Sequence, residues 1–139
     1  MRSLGEIEAL LERFEPVADA RAAADTLVGL AEEILIHWVT GRGEEPTTDE
    51  REGSRLLALH RQGAHGVPSF NACRETCREV AYHNNLLRSE PAPVATAQQQ
   101  RMMAMLAMHL VLFVTGKMQQ EQLGEFCCAS KPLRLESAA

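Results

Sequence analysis

Four cysteines are the residues with the greatest chemical capacity in this sequence, and they form two pairs. Cys73 and Cys77 are four residues apart in a stretch with helical periodicity, whereas Cys127 and Cys128 are adjacent near the C-terminus. Grouped thiols can bind a soft metal ion, respond to an oxidant, or fill a hydrophobic core as small apolar side chains. The spacing of each pair therefore bears on which chemistry is available.

The spacing of Cys73 and Cys77 favours metal coordination over a disulfide between them. Side chains at positions i and i+4 of a helix share a face, with Cβ atoms ~5–6 Å apart. A disulfide needs Cβ atoms ~3.8 Å apart, so a bridge would distort the helix. The same spacing suits two ligands of one metal ion, or one thiol meeting a cysteine from the C-terminal segment.

Two histidines extend this candidate site. Gly63, Gly66 and Pro68 break the chain between two helical stretches, which predicts a helical hairpin. In such a hairpin His60 lies level with Cys73, and the turn carries the second histidine. The predicted metal ligands are Cys73, Cys77, one of His60 or His65, and Cys127 or Cys128. Nitrogen and sulfur ligands of this kind suit zinc or copper(I), and the open alternative is that the thiols are buried packing residues.

Cys73 also has features of a reactive thiol. We predict it in the first turn of its helix, where the helix dipole favours the thiolate, and Arg74 and Arg78 add positive charge nearby. A thiol-dependent peroxidase or reductase would use Cys73 as its nucleophile with Cys77 beside it. Catalysis is thus one alternative to a metal site.

Composition and net charge limit the fold class and the kinds of partner that the chain can have. The chain has 139 residues, 45% hydrophobic and only 4% aromatic residues, and a net charge of −5. Leu, Met, Val and Ala must therefore do most of the packing, and this mixture favours helices over strands. Without a run of Lys or Arg, no nucleic-acid partner is predicted. We expect an all-α, four- to five-helix bundle forming one domain over residues 1–139.

Capping boxes, proline and glycine predict where the helices begin and end. The predicted helices are Ser3 to Phe14, then Val17 to Thr40 with Pro16 at its start, a third opened by Thr47 and Glu50, a fourth capped by Ser69 or Asn71 and ending near Arg88, and a fifth that starts at Thr96 and is interrupted at Gly116. From about residue 124 the tail is predicted to be irregular.

The fifth helix is apolar on most faces from Met102 to Val114. A helix of this kind belongs at the centre of a bundle or in an oligomer interface, so a homodimer is predicted. The apolar run is shorter than the ~20 residues that a membrane span needs, and the N-terminus lacks the apolar core of a signal peptide. A cytoplasmic protein without a membrane partner is expected.

We predict a small accessory or regulatory protein that binds a protein partner. This prediction favours a non-enzyme over an enzyme. Its cysteines would form a metal- or redox-responsive latch, in which Cys127 or Cys128 is pinned to Cys73 or Cys77 and the tail covers the hairpin. Two alternatives stay open: the thiol-dependent enzyme, and a purely structural interaction bundle with inert cysteines.

Overall fold

The structure is a computed structural model, and it describes residues 1–89 and 93–123, except for the side chains of residues 93–95. These residues form α1 (Leu4–Glu12), α2 (Ala20–Gly41), α3 (Arg55–Ala64), α4 (Arg74–Arg88) and α5 (Pro93–Gln120), with no β-strand among them. The predicted all-α bundle with an apolar C-terminal helix is confirmed. The tail predicted to be irregular lies outside the described residues, and Cys127 and Cys128 lie there with it.

The first helix begins where its capping box predicts. The Ser3 hydroxyl accepts a hydrogen bond from the Glu6 amide at 3.1 Å, and the Glu6 carboxylate accepts one from the Ser3 amide at 3.1 Å. The bond from the Ser3 amide, with a smaller contribution from the Ser3 side chain, lowers the pKa of Glu6 because it stabilises the charged carboxylate. Two otherwise unpaired donors at the helix start are thereby satisfied.

The start of α2 differs from the prediction. Pro16 is not its first residue; instead the Asp19 carboxylate accepts hydrogen bonds from the amides of Arg21 and Ala22, and the helix begins at Ala20. Gln100 of α5, which is fully buried, holds the preceding segment by bonding both the amide and the carbonyl of Val17 at 2.9 Å. A tertiary contact that sequence periodicity cannot reveal thus keeps residue 17 out of the helix.

The start of α3 was also predicted too early. The Thr47 hydroxyl accepts from the Asp49 amide in a local turn, so the predicted capping box does not form. The Thr47 amide donates to the Gln62 side chain at 2.8 Å, which ties this segment alongside α3. Ser54 caps the helix instead, with its hydroxyl accepting from the Leu57 amide.

The last two helices have different limits as well. α4 is preceded by Cys73 in a left-handed conformation (φ 63°), rather than by a capping Ser69 or Asn71. α5 starts before Thr96 and passes through Gly116 without interruption. Glycine costs a helix only ~1 kcal/mol relative to alanine, and the packing of the flanking residues outweighs that cost.

The core is built mainly on α2, which contacts each of the other four described helices. α5 packs against α1, α2 and α4 and keeps one side exposed. The largest side chains with no exposure include Trp38, Ile34, Leu35, Leu59, Met103 and Leu110. α3 and α4 form the predicted hairpin, which is antiparallel because His60 contacts Ala72 while Glu52, just before α3, contacts Arg78.

By its length and composition, α5 could cross a membrane. The prediction from the sequence rested only on its uninterrupted apolar run, Met102 to Val114, which is too short for a membrane span. Over Thr96–Gln120 α5 has 25 residues, a mean hydropathy of 1.3 in its most apolar window, and 39% of that window buried. The core helix of a water-soluble bundle meets the same criterion, and Met103, Leu110 and Val114 of α5 are fully buried against the other helices.

Candidate functional site

The two described cysteines lie at the start of α4, where it packs into the bundle. Cys77 has no exposed surface and belongs to the hydrophobic core, whereas Cys73 is half-buried at the edge of that core. Burial, with a smaller contribution from the nearby Cys73, raises the pKa of the Cys77 thiol to about 12. Cys77 is therefore a neutral packing residue at physiological pH.

Cys73 does not have the environment of an activated thiol. It precedes the first residue of α4, and burial raises its pKa, with a weaker opposing effect from a hydrogen bond with Thr76. The direction is opposite to the one expected from the helix dipole and the neighbouring arginines. Because the thiolate is the nucleophile, this environment does not favour the peroxidase or reductase alternative.

The two candidate histidines have different surroundings. His60 is 7% exposed, and its Nε2–H donates to the carbonyl of Ala72 at 2.9 Å, while its ring stands edge-on to Phe70. This bond places His60 level with Ala72, the residue before Cys73, as the hairpin prediction expects. His65 is exposed and ends α3.

The described part of the predicted metal site does not form a ligand cluster. Within residues 1–89 and 93–123, no group of three or more His, Cys, Asp or Glu side chains is placed to hold a metal ion. A four-coordinate zinc site needs more ligands than Cys73, Cys77 and a histidine bring together here. Any such site depends on Cys127 or Cys128, which lie outside the described residues.

A polar cluster that sequence reasoning missed fixes the turn between α3 and α4. The carbonyl oxygen of Gly63 accepts three hydrogen bonds, from Trp38 Nε1 at 3.0 Å, Arg42 Nη1 at 2.9 Å and the Phe70 amide at 2.8 Å. Gly63 lies so close to the indole that a Cβ there would be 2.7 Å from Trp38 Cδ1. Only glycine allows this approach, which the sequence alone presents merely as a chain break.

Arg42 extends this cluster across the whole turn. Its side chain is only 4% exposed, and Nη1 also donates to the carbonyls of His65 at 2.5 Å and Pro68 at 2.9 Å. The guanidinium pairs with Glu44, which lowers the pKa of that carboxylate, and lies 5.9 Å from the centre of the Trp38 ring. One buried cation therefore holds the segment that carries His65 and leads to Cys73.

A cavity of about 340 Å³ opens beside this turn, between α3 and α4. It is lined by Arg51, Leu57, His60, Arg61, Ala64, His65, Asn71, Arg74 and Arg78. Both histidines predicted as metal ligands face this cavity, and the two cysteines do not line it. The cavity therefore has the composition of a basic site rather than a thiol site.

The second distinctive surface is the exposed side of α5. Met102, Met105, Leu112 and Phe113 are 40%, 58%, 52% and 50% exposed, respectively, and His109 stacks on Phe113 with ring centres 4.5 Å apart. We call these five side chains the α5 apolar face. No charged residue occurs between Met102 and Phe113. An exposed patch of this kind on a helix is typical of an interaction surface.

A groove of about 450 Å³ continues from one end of this face. Leu112, Phe113, Gly116 and Gln120 of α5 line one side of it, and residues 69–72 line the other. The end of α5 and the segment preceding Cys73 thus border the same groove.

Fold and site together define the class of the protein: an all-α helical bundle with one buried and one half-buried thiol among its described residues, a basic cavity in a helical hairpin and an apolar face on its longest described helix. The chain matches no known protein family. No curated protein and no solved structure is detectably similar to it either.

Proposed function

We propose that the protein is a non-enzymatic helical interaction protein that assembles as a homodimer through the α5 apolar face. The observation that carries this proposal is the exposure of Met105, Leu112 and Phe113 on a helix whose opposite side is core. The raised pKa values of Cys73 and Cys77 support the non-enzymatic part, since neither thiol is activated. This is the alternative in which the cysteines are inert packing residues.

A second copy of the chain is the occupant that fits this face best. The face carries no Asp, Glu, Lys or Arg from Met102 to Phe113, so two copies can meet without burying any of these charged side chains. Gly116 continues the same side of α5, and nothing lies within 4 Å of where its Cβ would be, which leaves room for a close helix approach. Flexible methionines also adapt well to a packed interface.

The mass in solution tests the dimer. We expect light scattering after size exclusion to give twice the 15.4 kDa chain mass. Met105→Glu with Phe113→Glu should give the mass of one chain, because association would bury two carboxylates per copy at several kcal/mol. Tyr82→Glu, at a side chain that is 60% exposed on α4, is the matched control and should remain dimeric.

Two results would refute this assignment. One is a wild-type chain that stays monomeric at about 100 μM, well above the Kd of a stable dimer. The other is a monomer that partitions into neutral phosphatidylcholine vesicles and loses this property in the double variant. In that case the α5 apolar face binds a lipid bilayer, which would agree with the length and hydropathy of α5.

The latch between α4 and the C-terminal tail is a second candidate, favoured by the groove that Gln120 shares with Ala72. Because Ala72 adjoins Cys73, the end of α5 borders the same groove as the segment that leads into this half-buried thiol. Cys73 is thus the better partner for Cys127 or Cys128, since Cys77 is fully buried.

Peptide mapping of the full chain tests the latch. With oxidised glutathione as oxidant, two protein thiols would form one disulfide as glutathione is reduced, and we expect Cys73 linked to Cys127 or Cys128 with Cys77 free. A metal latch would instead give about one zinc or copper per chain in protein purified anaerobically without chelators. Cys77→Ser is the matched control for the disulfide form and should leave the linkage of Cys73 unchanged. Four free thiols without metal would exclude both forms of the latch.

A further inference from the structure

The cavity between α3 and α4 concentrates positive charge that the protein does not neutralise. Arg51 comes from the segment before α3, Arg61 from the last turn of α3, and Arg74 and Arg78 from one face of α4, at positions i and i+4. The chain has 19 acidic and 14 basic residues, and yet no acidic side chain lines this cavity. The cavity is therefore positively charged, although the molecule has a net charge of −5.

Three of these arginines have no carboxylate partner among the described residues. Only Arg78 is paired, with Glu52 at 3.3 Å, and this ion pair is exposed on both sides. Guanidinium groups gathered around one cavity repel each other, although solvent screens part of that repulsion because Arg61 and Arg74 are exposed. A bound anion removes that repulsion, so the cavity selects for negative charge.

The cavity is held in shape by backbone and buried polar contacts. The backbone of Arg51 exchanges two hydrogen bonds with Ser54, at 2.9 and 3.0 Å. His60 is fixed by its bond to the Ala72 carbonyl, and Arg42 ties down the turn that carries His65. These contacts fix the backbone from which the arginines extend, so binding an anion orders side chains but does not have to order the chain segments.

From these contacts we propose that this cavity binds a small molecule bearing two or more phosphate groups. The planar guanidinium fork matches phosphate oxygens in a bidentate manner, and arginines on three chain segments can surround more than one phosphate. A volume of about 340 Å³ accommodates a diphosphate with a small organic part. Leu57 and Ala64 supply an apolar wall for that part. No residue of the α5 apolar face lines this cavity, although Asn71 borders both the cavity and the groove at the end of that face, and the proposal does not rest on the dimer.

Titration calorimetry with inorganic pyrophosphate at fixed ionic strength tests the proposal. We expect one binding site per chain in the wild type, with inorganic phosphate binding at least tenfold more weakly. Arg61→Gln with Arg74→Gln should weaken pyrophosphate binding tenfold or more, since two charge-assisted contacts are lost. Both arginines are exposed, so the circular dichroism spectrum of the double variant should match the wild type.

Arg13→Gln is the control, because it removes one exposed arginine far along the sequence, just beyond α1. It should change pyrophosphate affinity less than twofold. Equal loss in Arg13→Gln and in the double variant would show general charge attraction and overturn the site. Absence of binding at millimolar pyrophosphate would overturn it as well. If citrate bound more tightly than pyrophosphate, the ligand would be a carboxylate and the phosphate proposal would be overturned. If a single-stranded oligonucleotide bound more tightly, the ligand would be a nucleic acid and not a small molecule.

Discussion

Replacement of Trp38 by alanine should destabilise the protein by about 3–5 kcal/mol, the range for removing a buried aromatic side chain. Trp38 has no exposed surface, packs against Phe70 with ring centres 5.7 Å apart, and donates to the Gly63 carbonyl. The free energy of unfolding of an ordinary domain is about 5–15 kcal/mol, so this single substitution would remove a large part of it. Urea unfolding followed by circular dichroism measures the loss and does not depend on the fluorescence of the single tryptophan.

A double-mutant cycle with Gly63 separates the steric contact from general core loss. Gly63→Ala alone should cost about 1–3 kcal/mol, because the new Cβ meets the indole at 2.7 Å. In the Trp38→Ala background the ring is absent, and the same change should be neutral or slightly stabilising, since alanine is the better helix former. Equal cost in both backgrounds would contradict the close approach of Gly63 to Trp38.

Much of the helical architecture could be predicted from the sequence because it follows from local rules. Apolar spacing, capping signals and chain breakers together identify all five helices, and the Ser3–Glu6 capping box gives the start of α1. The predicted starts of α2 and α3 were wrong because side-chain hydrogen bonds hold the segments before them: Gln100 of α5 bonds Val17, and Gln62 of α3 itself bonds Thr47. Such contacts have no signature within a sequence window.

The candidate site was less predictable, because burial decides what a cysteine or an arginine can do. The expected place of Cys73 in the first turn of a helix, beside Arg74 and Arg78, suggested an activated thiol, but desolvation in the folded bundle raises its pKa. The basic cavity was overlooked because charge was judged over the whole chain, at −5, whereas Arg61 and Arg74 meet only when the hairpin closes. The i, i+4 spacing of Arg74 and Arg78 was the one local signal of that surface.

Replacement of Arg42 by methionine should cost about 2–4 kcal/mol, although methionine preserves most of the buried volume. The guanidinium donates to three carbonyls, of Gly63, His65 and Pro68, and hydrogen bonds from a charged donor contribute more than neutral ones. Gly63 retains two other donors, but no other donor to the carbonyl of His65 or Pro68 is found among the described residues. Urea unfolding gives the global loss of stability.

The partner of Arg42 provides the matched control for this prediction. Glu44→Gln removes the ion pair while leaving the three carbonyl contacts, and because Glu44 is exposed we expect a cost of at most about 1 kcal/mol. Hydrogen exchange adds a local readout: the Phe70 amide, which donates to the Gly63 carbonyl, should lose protection in Arg42→Met and keep it in Glu44→Gln. Similar losses in the two variants would mean that the ion pair, rather than the carbonyl contacts, fixes the turn. Because that turn carries His65 into the basic cavity, Arg42→Met should also weaken pyrophosphate binding without removing any residue that lines the cavity.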